Sequence, residues 1–188
     1  MVKLLTVLGL DTGYADLNSD FFPDARAGME WDFSRPAPYI IKSPWFCDYL
    51  DAWLSEVGAV IDHAFVPMRG LFAAAESRRY VTSTTAASAP ANAVPGGLWH
   101  TTDPRDQEVV LADRFYNLLH TLSQRDIPLT LLEFPRLARD AGYLYRKLQP
   151  VLAGISFQRF SEGFEQVVDP NLIHEFGPAV SALANLIG

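Results

Sequence analysis

Apolar positions along the chain fall into two kinds of pattern: short continuous runs bounded by turn residues, and longer stretches repeating at three- and four-residue steps. The first run, Lys3 to Leu10, closes on "GLDTG" and predicts a strand buried on both faces of a parallel sheet. Pro38–Lys42 predicts a short second strand. "SPWFCDYLDAWLSEVG" predicts a helix with Ser43 as N-cap, Pro44 at its first position and Gly58 at its exit. Trp45, Phe46, Tyr49, Leu50, Trp53 and Leu54 form its apolar stripe, and Asp48, Asp51 and Glu56 face water. A third strand, Ala59 to Met68, leads into a helix from about Leu71 to Val81.

Asp106 to Arg125 repeats apolar residues at helical spacing, Pro128–Phe134 predicts a fourth strand, and a further helix runs from about Tyr143 to Leu152. In the mixed tail a last helix is expected from Pro178. Two stretches lack periodicity, residues 11–38 and the Ser-, Thr-, Ala- and Pro-rich residues 82–104, and both are expected to be flexible loops. Alternation of strands and helices at these lengths predicts one α/β domain over residues 1–188, with a mainly parallel sheet of four or five strands.

Composition narrows the function. With 188 residues, 49% apolar and 20% charged, the chain is long enough to bury a core without disulfides or structural metal. Its net charge of −7 argues against nucleic-acid and anionic-membrane surfaces, which need a basic footprint. The single cysteine, Cys47, removes intramolecular disulfides and fits a reducing cytoplasm. The N-terminal run is too brief to span a membrane and lacks a small-residue cleavage site. Acidic and histidine spacings match no metal loop, so no metal is expected.

In an open α/β sheet, ligands bind beyond the carboxyl ends of the strands. The first three predicted strands end at Gly9 to Gly13, at Lys42 to Pro44 and at Arg69 to Gly70, and a helix follows each of the last two. Arg69 can grip a phosphate bidentately, Lys42 acts as a point charge, and Ser43 and Ser77 supply hydroxyls. Plainer roles compete: Arg69 paired with Glu133, Ser43 as a helix cap, Ser77 as a small packing residue, Thr12 as a turn residue, and Arg78 with Arg79 as a solvated face.

"FVPMRGLFAAAES" resembles the 3′-phosphate-binding segment of sulfotransferases that use 3′-phosphoadenosine-5′-phosphosulfate, in which a strand ends in arginine and a serine follows eight residues later, as Arg69 and Ser77 do. "YIIKSP" is similar to a lysine-containing strand end in bacterial members, and "LLEFPRLARDAGYLYRKLQPVL" resembles a later strand and helix. The resemblance implies a three-layer α/β/α, P-loop nucleotide-hydrolase-like fold, with the phosphosulfate nucleotide as co-substrate and a small-molecule hydroxyl or amine as acceptor. Gly9, Thr12, Gly13, Ser43, Arg69 and Ser77 would bind the nucleotide, and Lys42 would stabilise charge on the transferring sulfuryl group.

"GLDTGYA" departs from the family's phosphosulfate loop, because Asp11 stands where a cation belongs. The resemblance therefore leaves two alternatives open: a catalytically inactive nucleotide- or partner-binding module, and a nucleotide-dependent kinase, which lacks its "GK[ST]". The general base is unassigned among His100, Asp16, Asp20 and Glu30. His63 stands at the start of a strand, the opposite end of the sheet. Trp99, beside His100, could stack on an adenine or acceptor ring.

Overall fold

The computed structural model describes residues 1–17, 29–31, 33, 35–85, 94–169, 173 and 176. Helices α1 (Val2–Val7) and α2 (Phe46–Val57) precede strand β1 (Ala64–Met68), which runs into α3 (Leu71–Thr85). Helix α4 (Gln107–Gln124), strand β2 (Leu129–Glu133), α5 (Ala141–Lys147) and α6 (Phe157–Val167) follow. β1 and β2 pair in parallel, with Ala64 opposite Leu129 and Met68 opposite Glu133.

The expected three-layer, P-loop nucleotide-hydrolase-like fold with a four- to five-stranded sheet is overturned. The described residues are rich in helix, and their sheet has two strands. The run Lys3 to Leu10 is largely helical. Leu4, Leu5 and Leu8 fall on one face and are buried, and the Thr6 hydroxyl donates back to the Val2 carbonyl at 3.1 Å. A short apolar run is compatible with strand or helix, and here tertiary packing decides. Gly163 on α6 admits α1 closely: a Cβ there would lie 3.3 Å from Leu4 and 3.4 Å from Leu8. The Pro38–Lys42 segment builds no ladder either. Its Ile40 amide donates to the Asp11 carbonyl at 2.8 Å, and its Lys42 carbonyl accepts from the Trp31 amide at 2.9 Å.

Elsewhere local chemistry sets the boundaries. α2 stops at Gly58, whose φ of 64° is left-handed and whose amide donates to the Leu54 carbonyl. Its start is Trp45 rather than Ser43, and it has no side-chain cap. Asp140 caps α5 by accepting from the Tyr143 amide at 2.7 Å, and Ser156 caps α6 through the Arg159 amide at 3.3 Å. α3 extends to Thr85, three residues into the stretch expected to be a loop. The expected helix from Pro178 lies outside the described residues.

Two apolar clusters flank the strand pair, because neighbouring strand residues point to opposite faces. Phe65 and Leu132 join Leu4, Leu8, Leu144, Leu148, Phe160 and Phe164 on one side, and Ala64 and Val66 join Leu50, Leu54 and Leu122 on the other. Among the described residues no helix is long and apolar enough to cross a membrane.

Candidate functional site

Arg69 directly follows β1, just after the Met68 carbonyl, which accepts from the Phe134 amide at 2.7 Å. Its guanidinium carbon lies 5.0 Å from the Phe134 ring centre and 5.4 Å from that of Phe176. Stacking between rings orients the planar cation, and burial lowers its pKa below the usual arginine value. α3 begins two residues on at Leu71, and at 1.5 Å per residue Ser77 sits about 9 Å along it. Beside Arg69 on the same edge, the Arg136 guanidinium lies 4.4 Å from the Tyr143 ring centre and pairs with Asp140. Glu133, the expected alternative partner of Arg69, accepts from the Arg136 amide at 3.0 Å.

An open groove of about 450 Å³ runs along α3, lined in part by Glu76, Arg79, Tyr80, Leu98 and Phe176. Phe176 joins it to the carboxyl edge, because its ring lies 6.1 Å from Tyr80 as well as against Arg69. The volume lies in the range of small-molecule sites.

The other expected ligands stand elsewhere. Gly9, Thr12 and Gly13 follow the carboxyl end of α1, where a helix presents carbonyls and a partial negative charge. The Arg159 guanidinium fills that position and donates to the Leu8 carbonyl at 2.7 Å. Thr12 is buried, its hydroxyl 2.7 Å from that of Thr6. Asp11 holds the turn by accepting from the Gly13 amide at 3.2 Å and the Tyr39 amide at 3.0 Å. Lys42 donates to Glu30 at 2.9 Å, with both side chains partly buried. The Ser43 hydroxyl accepts from the Trp45 amide at 3.3 Å.

A second polar cluster joins α2, α3, α4 and residues 97–100. Asp48 accepts from Arg114 at 2.7 Å and lies 3.0 Å from His100 Nε2. Because an ionised carboxylate only accepts, the ring donates to it from Nε2. His100 has a φ of 55°, in the left-handed region unusual for a residue with a side chain. Its ring lies 4.8 Å from Trp99, and Trp45 stands 6.1 Å from Trp99. Two buried side chains hold this loop: Gln107 accepts from the Trp99 amide at 2.7 Å and donates to the Trp99 carbonyl at 3.3 Å, and Thr82 accepts from the Leu98 amide at 2.8 Å.

His63, set aside as a base, contacts Thr130 at 2.8 Å near the start of the strand pair; of the general-base candidates, Glu30 accepts from Lys42, and Asp20 lies outside the described residues. Cys47 keeps its proton, because burial and then the Asp48 charge push its thiol up to about 12. Among the described residues no group of three or more His, Cys, Asp and Glu side chains could hold a metal ion.

Arg78 and Arg79 do not share a solvated face. Arg79 bridges Glu76 and Glu108, whereas Arg78 turns inward, 5.0 Å from the Trp99 ring centre, and donates to the Gly97 carbonyl at 2.9 Å. A step of about 100° per helical residue separates them. The partners of Arg78 lie about twenty residues away in sequence, so local pattern gave no signal for it. No family model, curated protein or solved structure matches the chain.

Proposed function

We propose that the protein binds a 3′-phosphorylated adenine nucleotide at the carboxyl edge of β1, through Arg69 and Ser77, and transfers a sulfuryl group from 3′-phosphoadenosine-5′-phosphosulfate to a hydroxyl or amine of a small acceptor. The observation that carries this reading is Arg69 itself, a cation held between aromatic rings where a parallel strand gives way to a helix. The helix amides and the guanidinium favour the same anion. The groove beginning at Phe176 offers room for the rest of the nucleotide or for the acceptor.

A second reading, a nucleotide-binding module without turnover, is favoured by a specific observation. Gly9, Thr12 and Gly13 stand at the negative end of α1, and Lys42 is paired with Glu30. Calorimetric titration with 3′-phosphoadenosine-5′-phosphate, with AMP as control, tests binding on the intact protein and on Arg69→Ala. Preference for the 3′-phosphorylated nucleotide is expected, and its loss in the variant should amount to ~1.5–3 kcal/mol, typical of a hydrogen bond to a charged group. Binding of neither nucleotide refutes both readings. Binding without sulfuryl transfer to any of a panel of phenols, alcohols and amines supports the module.

A further inference from the structure

Arg78 is partly buried, and among the described residues no carboxylate pairs with it. The contrast is local: Arg79 next to it holds two glutamates, and Arg114 across the cluster holds Asp48. Guanidinium offers five N–H donors, and the Gly97 carbonyl occupies one. Acidic residues outnumber basic ones 22 to 15 in this chain, so a shortage of acids does not explain the vacancy. Of the groups whose charge reaches Arg78, Glu30 is committed to Lys42, and Cys47 stays a neutral thiol. A partly desolvated cation without a counter-charge carries a cost that a bound anion would relieve.

We propose that Arg78 anchors a binding site for an oxyanion, a carboxylate, sulfate or phosphate borne by a small molecule, between α3 and the Trp99–His100 turn. Trp99 and the Gly97 carbonyl fix the plane of the guanidinium, so its remaining N–H groups form a prepared fork that matches two oxygens of such a group. The residue keeps part of its surface open to solvent. His100 and Trp45 stand beside Trp99 and would flank the body of the ligand. The site is distinct from that at Arg69 and does not require nucleotide binding there.

The test is thermal melting of the full chain and of Arg78→Gln, Arg78→Lys and Arg69→Gln. Sodium sulfate, phosphate and benzoate are each titrated at millimolar levels against sodium chloride of matched ionic strength. At least one oxyanion should give a saturable rise in Tm over chloride in the parent and in Arg69→Gln, and none in Arg78→Gln. Lysine keeps the charge but loses the fork, so Arg78→Lys should retain the effect with affinity weakened about tenfold or more. Without oxyanion, Arg78→Gln should melt at or above the parent, because an unpaired, partly buried charge has been removed. Absence of a saturable shift with all three anions overturns the proposal, as does a shift that persists in Arg78→Gln. So does an Arg78→Gln protein that melts below the parent by the same margin with and without oxyanion, which makes Arg78 a structural prop. Whether benzoate or the tetrahedral ions act distinguishes a carboxylate ligand from a sulfated or phosphorylated one.

Discussion

Replacing Gln107 by alanine probes how the Trp99–His100 turn is held. The side chain is fully buried, and its amide satisfies both polar groups of the Trp99 backbone, accepting at 2.7 Å and donating at 3.3 Å. Truncation removes two hydrogen bonds and leaves a part-buried amide and carbonyl without these partners. At roughly 1–2 kcal/mol for each, the cost should come to about 2–4 kcal/mol. Urea unfolding followed by far-UV circular dichroism reads this as a lower midpoint with an unchanged m-value. Thr82→Val, which removes the acceptor for the Leu98 amide at 2.8 Å, should cost about 1–2 kcal/mol. The double variant should lose less than the two single losses added, because both side chains restrain one turn. A cost below about 0.5 kcal/mol for Gln107→Ala would show that the turn does not depend on this clamp.

Cys47, its thiol pushed up to about 12, should react with iodoacetamide at pH 8 about a thousandfold more slowly in the native protein than in urea. Comparable rates would show that the thiol is not held protonated. The raised value also means that Cys47 favours folding below pH 9 and that this contribution is lost as pH climbs toward 12. For His63 burial acts in the other direction, holding the ring below its usual 6.5, so the unfolded chain takes up the proton first as pH falls. Its contribution is therefore present above pH 6.5 and lost on the acid side, and urea midpoints for His63→Gln should fall less steeply with acid than those of the parent. At Gly163 a leucine would meet Leu4, Leu8 and Val7, and should cost ~1–3 kcal/mol of unfolding free energy through overpacking of α1 on α6.

The exit of α2 and the spans of α4 and β2 were legible in the sequence, whereas α6, capped by Ser156, falls in the tail where only a helix from Pro178 was expected. Gly58 ends α2 where the pattern placed the exit, and α4 and β2 match their apolar periods to within about a residue. Lys3 to Leu10 misled because eight apolar-rich residues fit a buried strand or a buried helix equally well. The helix is selected by Gly163, more than 150 positions away. Ser43 and Pro44 looked like a helix start, but the Ser43 hydroxyl closes the turn before α2 instead. Arg69 at a strand end was readable from the apolar run that stops at it. The inward turn of Arg78 was not, because it depends on Trp99 and Gly97 arriving from another part of the chain.

The parallel pairing of β1 with β2 also bears on the order of assembly. His63 and Thr130, in contact at the start of the pair, are 67 positions apart in sequence, and α3 and α4 fill the interval. Closing so long a loop costs about 3–4 kcal/mol of chain entropy before any strand hydrogen bond repays it. Local helices form first on that account, and the strands zip only once the crossover has folded back on itself. Until they do, the apolar edges of β1 and β2 are open to other chains, so refolding yield should fall as protein concentration rises during that interval.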